Sequence, residues 1–153
     1  MTPFHKILVP TDFSKYSTEA VQTAADLSRR YEASVTLAYV FEPVTYALPE
    51  GHVMQAPPQL DEMQAVFEQR LVQAVAEAKA AGALEVEGKL LTGPVAPELA
   101  DYALRGGFDL IVMGTHGRTG LRHLVLGSVA EKVVRTAPCA VLTVRVREPA
   151  KHE

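Results

Sequence analysis

Residues 110–117 have the sequence Leu-Ile-Val-Met-Gly-Thr-His-Gly, and Gly127-Ser128 follows after nine further residues. The apolar run 110–113 is short, unbroken and partly β-branched, which is typical of a strand buried on both faces of a parallel sheet. Glycine can adopt a positive φ and lets the backbone approach a ligand, so N–H groups after this strand can point at an anion. Because Gly127-Ser128 offers the same freedom, the two segments together predict a phosphate site.

A helix is expected to begin at the second of these segments. Ser128-Val129-Ala130-Glu131 matches a capping box, in which a serine and the glutamate three residues later cap each other's backbone N–H groups. The free N–H groups and positive dipole end of this helix would face the same anion. Arg118 and Arg122 lie between the two segments, and a guanidinium suits phosphate oxygens. Taken singly, these residues are equally consistent with plain turns, a helix cap and exposed loop arginines.

Two common nucleotide-binding motifs do not fit the sequence. A Walker A loop has the pattern GxxxxGK[ST], but Gly88-Lys89 is followed by a leucine and preceded by Gly82 six positions earlier. The dinucleotide pattern GxGxxG fails because Gly114, Gly117 and Gly120 are spaced GxxGxxG. The sequence therefore predicts neither an ordinary P-loop nor an NAD site.

The composition indicates one globular domain that binds neither nucleic acid nor membranes. The 153 residues are 48% hydrophobic, which suffices for one full core but leaves no room for a second domain. The formal charge of −3, from 15 basic and 18 acidic residues, provides no attraction to nucleic acid or an anionic membrane. The N-terminus lacks a secretory signal, and no apolar stretch approaches the ~20 residues that span a bilayer, so we expect a cytoplasmic protein.

Candidate catalytic and metal-ligating residues are few. Cys139 is the single cysteine, so no intrachain disulfide can form, and its place beside the last strand favours a small buried residue over a reactive thiol. The five histidines form no HExxH or other compact ligand set. His116 lies inside the glycine stretch, where it can touch a phosphate, but an exposed loop histidine is the commoner outcome. We therefore predict no catalytic residue and no metal site built by the protein.

Extended and helical patterns alternate along the chain, which favours β-α-β units and a parallel sheet. Residues 42–58 contain four prolines and predict a long exposed loop. If the last strand lies at a sheet edge, its unpaired backbone groups can pair with another chain and cause aggregation, unless they are covered or form a specific interface. Strands are predicted at residues 7–9, 35–40, 86–91, 110–113 and 140–146, and helices at 17–31, 60–81, 97–104 and 128–135.

The glycine spacing G-x2-G-x9-G-[ST] resembles the ATP-binding signature of the universal stress protein family, and its positions here are Gly114, Gly117, Gly127 and Ser128. The segments KILVPTDFS at residues 6–14 and APCAVLTV at 137–144 are similar to the first and last strands of that family. The resemblance spans nearly the whole chain. It implies an α/β fold of the Rossmann-like, adenine-nucleotide alpha-hydrolase type, with an open five-stranded parallel sheet, helices on both faces and strand order 3-2-1-4-5. The single domain would occupy residues 1–147, followed by a tail at 148–153.

The site is expected where strand order reverses, because ligands of open α/β sheets bind beyond the carboxyl ends of the strands at that point. If the first and fourth strands are neighbours there, Pro10-Thr11-Asp12 faces Gly114. The resemblance implies that the acidic residue after strand one binds the nucleoside, the end of strand two the adenine, and the glycine motif the phosphates. The candidate nucleotide site comprises Pro10, Thr11, Asp12, Val40, Met113, Gly114, Gly117, Arg118, Gly127, Ser128 and Val129.

Several of these residues have plainer interpretations. Asp12 can accept hydrogen bonds from ribose hydroxyls, but it can equally form an N-cap or an Asx turn. The hydroxyl groups of Thr11 and Ser14 can form hydrogen bonds with nearby backbone groups. Val40 can be a core strand residue, since its expected contact uses backbone groups.

The resemblance implies an ATP-binding regulatory or stress-response module, in which the nucleotide alters a homodimer formed through the last strand, from Ala140 to Val146. Magnesium carried by the ATP phosphates is compatible with this prediction, and the protein partner is unknown. A slow ATP hydrolase is one alternative, although hydrolysis needs an oriented water and the sequence contains no evident group to hold it beyond Asp12, His116 and the arginines. A dimeric interaction module that binds no nucleotide is another. A phospho-receiver is disfavoured because it needs paired acidic residues after the first strand, and Asp12 is the single one there. The sequence does not exclude a flavin site.

Overall fold

The computed structural model describes residues 4–43, 46–47, 51, 53–54, 60–116 and 126–146. Its strands are β1 (Lys6–Pro10), β2 (Ser34–Phe41), β3 (Tyr46–Ala47), β4 (Val53–Met54), β5 (Glu85–Thr92), β6 (Leu110–Gly114) and β7 (Ala140–Val144). Its helices are α1 (Lys15–Tyr31), α2 (Leu60–Ala80), α3 (Val95–Gly106) and α4 (Ser128–Thr136). All the predicted helices and long strands are present, and their ends differ from the predicted ones by at most two residues.

The five long strands form one parallel sheet in the order β5-β2-β1-β6-β7. Counted along the chain as long strands only, this is the order 3-2-1-4-5, so the predicted fold class is confirmed. Strand β1 lies at the centre, and β2 and β6 pair with its two edges. The chain therefore reverses its direction of winding at β1, which places a crevice beyond the carboxyl end of that strand.

Two helical layers cover the sheet, and the side chains of β1 alternate between them. Ile7 and Val9 pack under α1 and α2, whereas Leu8 packs under α3 and α4. Every residue of β6 is buried, as predicted for a strand covered on both faces. Among the described residues, no helix is both long and apolar enough to cross a lipid bilayer.

The proline-rich segment 42–58 contains secondary structure that its composition did not predict. Strands β3 and β4 pair in antiparallel fashion, with Tyr46 opposite Met54. Between them Gly51 has a φ of 76°, the left-handed conformation that glycine supplies to tight turns. Tyr46 and Val53 are strand formers, and each begins one strand of a short pair where we expected only a loop.

Strand β7 is shorter than predicted, because it ends at Val144 rather than Val146. Its pairing partner β6 ends at Gly114, which lies opposite Val144 in the register. Arg145 and Val146 therefore have no β6 residue to pair with, and the ladder stops although their sequence continues the strand pattern.

The glycine that closes β6 serves helix packing rather than backbone freedom. Gly114 is not among the described glycines with a positive φ, which corrects the expectation from the sequence. A Cβ at this position would lie 3.0 Å from the Cβ and 3.0 Å from the backbone O of Tyr16. Gly114 thus allows the first turn of α1 to lie directly against the end of β6.

We predict that Gly114→Ala destabilises the protein by about 1–3 kcal/mol, because the backbone of α1 must move to accept a methyl group. The loss is measured by urea unfolding monitored by circular dichroism. Gly88→Ala is the matched control, since its Cβ on an edge strand would meet only side-chain atoms, of Val75 at 3.3 Å and of Leu71 at 3.4 Å, and no backbone atom. Equal stability of Gly114→Ala and wild type would contradict the close-packing explanation.

Candidate functional site

One cleft of about 410 Å³ lies beyond the carboxyl ends of β2, β1 and β6, where the first residues of α3 and α4 also meet. This volume falls within the range of small-molecule sites, roughly 300–1,000 Å³. Gly117 and Arg118, like Arg122, lie outside the described residues. The cleft brings together the other nine predicted site residues: Pro10, Thr11, Asp12, Val40, Met113, Gly114, Gly127, Ser128 and Val129.

The loop after β1 is held by a dense set of hydrogen bonds. Asp12 Oδ1 accepts from Ser14 N at 2.9 Å and from Ser17 Oγ at 3.0 Å. Thr11 Oγ1 accepts from Phe13 N at 3.1 Å, as its local alternative predicted. Ser14 is the N-cap of α1. The Asx turn expected as an alternative for Asp12 is therefore present, and it lines the cleft at the same time.

Phe13, in the middle of this loop, has a left-handed φ of 63°, which is unfavourable for a residue with a Cβ. Its ring has two partners: the Arg70 guanidinium lies 4.5 Å from the ring centre, and the Tyr39 ring stacks on it at 5.1 Å. Tyr39 in turn stacks on Phe67 of α2 at 4.4 Å. These ring contacts and the Thr11 hydrogen bond support the strained turn, so the loop that carries Asp12 is packed against α2.

The end of β2 presents its backbone to the cleft. Ala38 O accepts from Thr11 N at 2.8 Å, so the backbone groups of Ala38 face β1. Val40 lies two residues further on and faces the same side, because strand residues alternate between the two edges. The pairing of β1 with β2 ends at Pro10 opposite Ala38. The N–H and C=O of Val40 therefore face the open crevice.

Apolar side chains form one wall of the cleft, and two of them were not predicted. Val95 and Leu99 come from α3, and they line the cleft together with Met113. Leu99 and Met113 are buried in the core under α3 and α4. The signal that could have identified the α3 residues is the amphipathic pattern of a helix that begins directly after β5. Its inward face must lie beside the neighbouring strand ends.

The N-terminus of α4 also lines the cleft, and its start differs from the predicted capping box. Gly127 is the N-cap and Ser128 is the first helical residue, without a side-chain cap hydrogen bond. The helix begins one residue earlier than a capping serine requires, because Gly127 O already accepts from Glu131 N at 3.0 Å. Gly127 has a φ of −68°, so it does not use the positive φ expected of it. The first residues of α4 line the cleft, and their backbone N–H groups have no acceptor within the helix.

Thr115 connects this helix end to the sheet edge. Its carbonyl accepts from Gly127 N at 2.6 Å, and its N–H donates to Val144 O at 3.1 Å. Its hydroxyl lies 2.9 Å from His116 Nδ1. A single buried residue thus joins the N-cap of α4 to the last residue of β7.

A second groove, of about 400 Å³, lies between α1 and α2 and shares Thr11 with the cleft. Its polar lining includes Arg70, Gln73 and Glu77, whose side chains are exposed. The cleft is the better candidate site, because its polar groups are held by backbone geometry and by hydrogen bonds. Within the described ranges, no group of three or more His, Cys, Asp or Glu side chains is placed to hold a metal ion.

Cys139 packs at the edge of the core under α3 and α4, outside the cleft. Burial, and to a smaller extent the Asp109 carboxylate, raises the pKa of the Cys139 thiol. A raised pKa lowers the thiolate fraction near neutral pH, which agrees with a structural rather than a reactive cysteine.

We therefore expect Cys139 to react several-fold more slowly than glutathione with a thiol-exchange reagent at about pH 8, because only the thiolate attacks. The rate is followed by the absorbance of the released thiolate product. Unfolding in guanidinium chloride serves as the control, and Cys139 of the unfolded protein should react at about the same rate as glutathione. A native rate equal to or faster than that of glutathione would contradict the assignment.

The fold and the cleft together define a Rossmann-like α/β protein with a ligand-sized site at the switch point of its sheet. The chain belongs to the universal stress protein family, whose family model matches residues 3–145. A universal stress protein of Methanocaldococcus jannaschii is 34% identical over 150 residues, which cover 97% of this chain and 85% of the relative. The resemblance drawn from the glycine spacing and the terminal strands is thus confirmed.

Solved structures agree with this assignment. The universal stress protein UspA from Lactobacillus plantarum superposes with a TM-score of 0.81 at 27% identity, covering 95% of this chain and all of that one. A universal stress protein solved in complex with cAMP has a TM-score of 0.71 at 27% identity, and the match covers 94% of this chain and 98% of that one.

Proposed function

We propose that this protein binds an adenine nucleotide, ATP in particular, in the cleft beyond β2, β1 and β6. The observation that carries the proposal is the order of groups across the sheet: the backbone edge of Val40 at β2, Asp12 after β1, and the start of α4 beside β6. Since neighbouring strands lie ~4.8 Å apart, the two ends of the cleft are separated by roughly 10 Å. Base, ribose and phosphate follow one another in the same order and over a similar distance.

The adenine would lie at the β2 end. Val40 supplies a backbone N–H and a C=O on the edge that faces the crevice, and adenine offers a ring nitrogen acceptor and an amino donor to match them. Val95, Leu99 and Met113 form an apolar wall that suits the faces of a base. Binding of cAMP by the family member described above supports an adenine ligand.

The ribose would lie over the end of β1, where Asp12 can accept a hydrogen bond from a hydroxyl group. The phosphates would lie at α4, whose first N–H groups and positive dipole end favour an anion. Gly117 belongs to the proposed site through the family's glycine motif, and Arg118 through the affinity of a guanidinium for phosphate oxygens. Magnesium would arrive with the ATP phosphates, because this ion is usually held by few protein groups.

The proposed phosphate contact is tested by Ser128→Pro. Proline removes one N–H at the first helical position, where it is tolerated, and Gly127 already has the extended φ of −68° and ψ of 164° that a following proline requires. We expect the affinity for magnesium ATP to fall about tenfold, equivalent to ~1.4 kcal/mol, and the affinity for adenosine to stay unchanged. Both are measured by titration calorimetry on protein stripped of nucleotide.

Ser128→Ala is the matched control, because it removes the hydroxyl but keeps the N–H. An equal loss of affinity for ATP and adenosine in Ser128→Pro would mean a distorted cleft and would contradict the phosphate assignment. Absence of saturable binding of both ATP and AMP to the wild-type protein would reject the proposed function.

We further propose that the protein acts as a nucleotide-responsive homodimer in a stress response, with the last strand as the interface and a separate protein as its partner. Strand β7 is at one edge of the sheet, and Leu142 on it is 39% exposed. Val144 O bonds to Thr115 N, so the alternate residues Val141 and Thr143 present their backbone groups to the outer edge. A second copy can pair there, and Thr115 connects this edge to the N-cap of α4.

Thr143→Pro tests the dimer. The proline removes a donor on the outer edge and leaves the pairing with β6 in place, which is the position where a sheet tolerates proline. We expect a wild-type dimer and a variant monomer in size-exclusion chromatography with light scattering, at equal concentration. Circular dichroism confirms that the variant is folded. A variant that stays dimeric, or a wild type that is monomeric, would contradict an interface through β7.

A further inference from the structure

We propose that Ser17 is a positioning residue for nucleotide binding, whose buried hydroxyl holds the Asp12 carboxylate in the orientation that receives the ribose. The inference rests on the proposed function, because Asp12 is assigned to the ribose there. Ser17 was not among the residues predicted from the sequence. It lies in the first turn of α1, and only 5% of its surface is exposed.

Ser17 lines the cleft beside Asp12, and its hydroxyl is the centre of the hydrogen-bond network around that carboxylate. Thr11 Oγ1 donates to Ser17 Oγ at 3.2 Å, and Ser17 Oγ lies 3.0 Å from both Asp12 Oδ1 and Ser14 O. Ser14 Oγ lies further away, at 3.5 Å. A serine hydroxyl has one proton, so it favours one of the two nearer acceptors. The choice decides whether Ser17 acts on the carboxylate or only on the helix backbone.

The carbonyl of Ser14 is already well supplied with donors. Thr18 N donates to it at 3.0 Å and Thr18 Oγ1 at 3.1 Å, which matches the two lone pairs of a carbonyl oxygen. A carboxylate oxygen is the stronger acceptor because it carries charge. The proton of Ser17 therefore points to Asp12 Oδ1.

The network has a consistent direction as a result. Phe13 N donates to Thr11 Oγ1, the Thr11 hydroxyl donates to Ser17, and Ser17 donates to Asp12. Ser14 N donates to the same carboxylate oxygen from the other side. Two donors on one oxygen restrict the rotation of the carboxylate, and they come from the N-cap and the third residue of α1.

Ser17→Ala removes the second donor and keeps a residue that suits a helix. We expect magnesium ATP to bind about three- to tenfold more weakly, as measured by titration calorimetry, because Asp12 loses a hydrogen bond that fixes it. Thr18→Ala is the matched control. It removes a neighbouring hydroxyl from the same Ser14 carbonyl without touching Asp12, and should leave the affinity within about twofold of wild type.

A double-mutant cycle separates positioning from general support of α1. In an Asp12→Ala background, Ser17→Ala should cause no further loss of affinity for magnesium ATP, because Ser17 acts on binding through the Asp12 carboxylate. The same loss in both backgrounds would overturn the inference. If Ser17→Ala is too unstable to titrate, Ser17→Cys replaces it, since the thiol fills similar space but is a weak donor and should also weaken binding.

Ligand-free crystal structures of wild type and Ser17→Ala make the test independent of nucleotide binding. We expect the Asp12 carboxylate to change its side-chain rotamer in the variant. An unchanged rotamer overturns the inference even if ATP binds. A wild-type protein that binds no adenine nucleotide rejects the proposed function instead, so the two failures are distinguishable.

Discussion

The candidate site exists because β1 ends before its neighbours. Pairing with β2 stops at Pro10 opposite Ala38, whereas β2 continues to Phe41 and β6 to Gly114. A central strand that ends early leaves backbone groups of the longer strand without a strand partner at that point. The chain also leaves β1 toward the helical layer of α1 and α2, which opens the crevice on the opposite face. The exposed edge of Val40 and the place of Asp12 both follow from this difference in strand length.

The loop after β1 must satisfy two requirements at once. It has to begin α1 within a few residues, and it has to leave a carboxylate at the cleft. Ser14 caps the helix while Asp12 accepts the N–H of that same cap residue, so the acid that lines the cleft is also part of the helix start. The cost is a left-handed Phe13, held by its ring contacts with Arg70 and Tyr39. Helix formation and site geometry are therefore coupled in this loop.

The sequence allowed the element order to be predicted because its apolar periodicity is strong, and the strand order followed from the family resemblance. Details governed by tertiary contact could not be predicted. The close approach of Tyr16 to Gly114 depends on how α1 lies on the sheet, and a local rule about glycine assigned it to backbone freedom instead. The serine–glutamate spacing at Ser128 fits a capping box, yet the helix begins at Gly127, and periodicity does not distinguish a start one residue apart. Ser17 carried no sequence signal, because its hydrogen bonds with Thr11 and Asp12 form only where the turn brings these residues together.

The candidate contacts mostly use groups that are fixed before binding, which explains why few side chains in the sequence indicated the site. A base at Val40 would use backbone groups of a paired strand, and phosphates at α4 would use N–H groups already aligned by the helix. The side chain of Asp12 is also held before any ligand arrives, by donors from Ser14 and Ser17. Ordering a flexible side chain on binding costs about 0.5–1.5 kcal/mol, and a site built from fixed groups avoids most of that cost. Such a site needs short residues at the right places in the backbone more than it needs long charged ones, which is why its signal in the sequence is the spacing of three glycines and a serine.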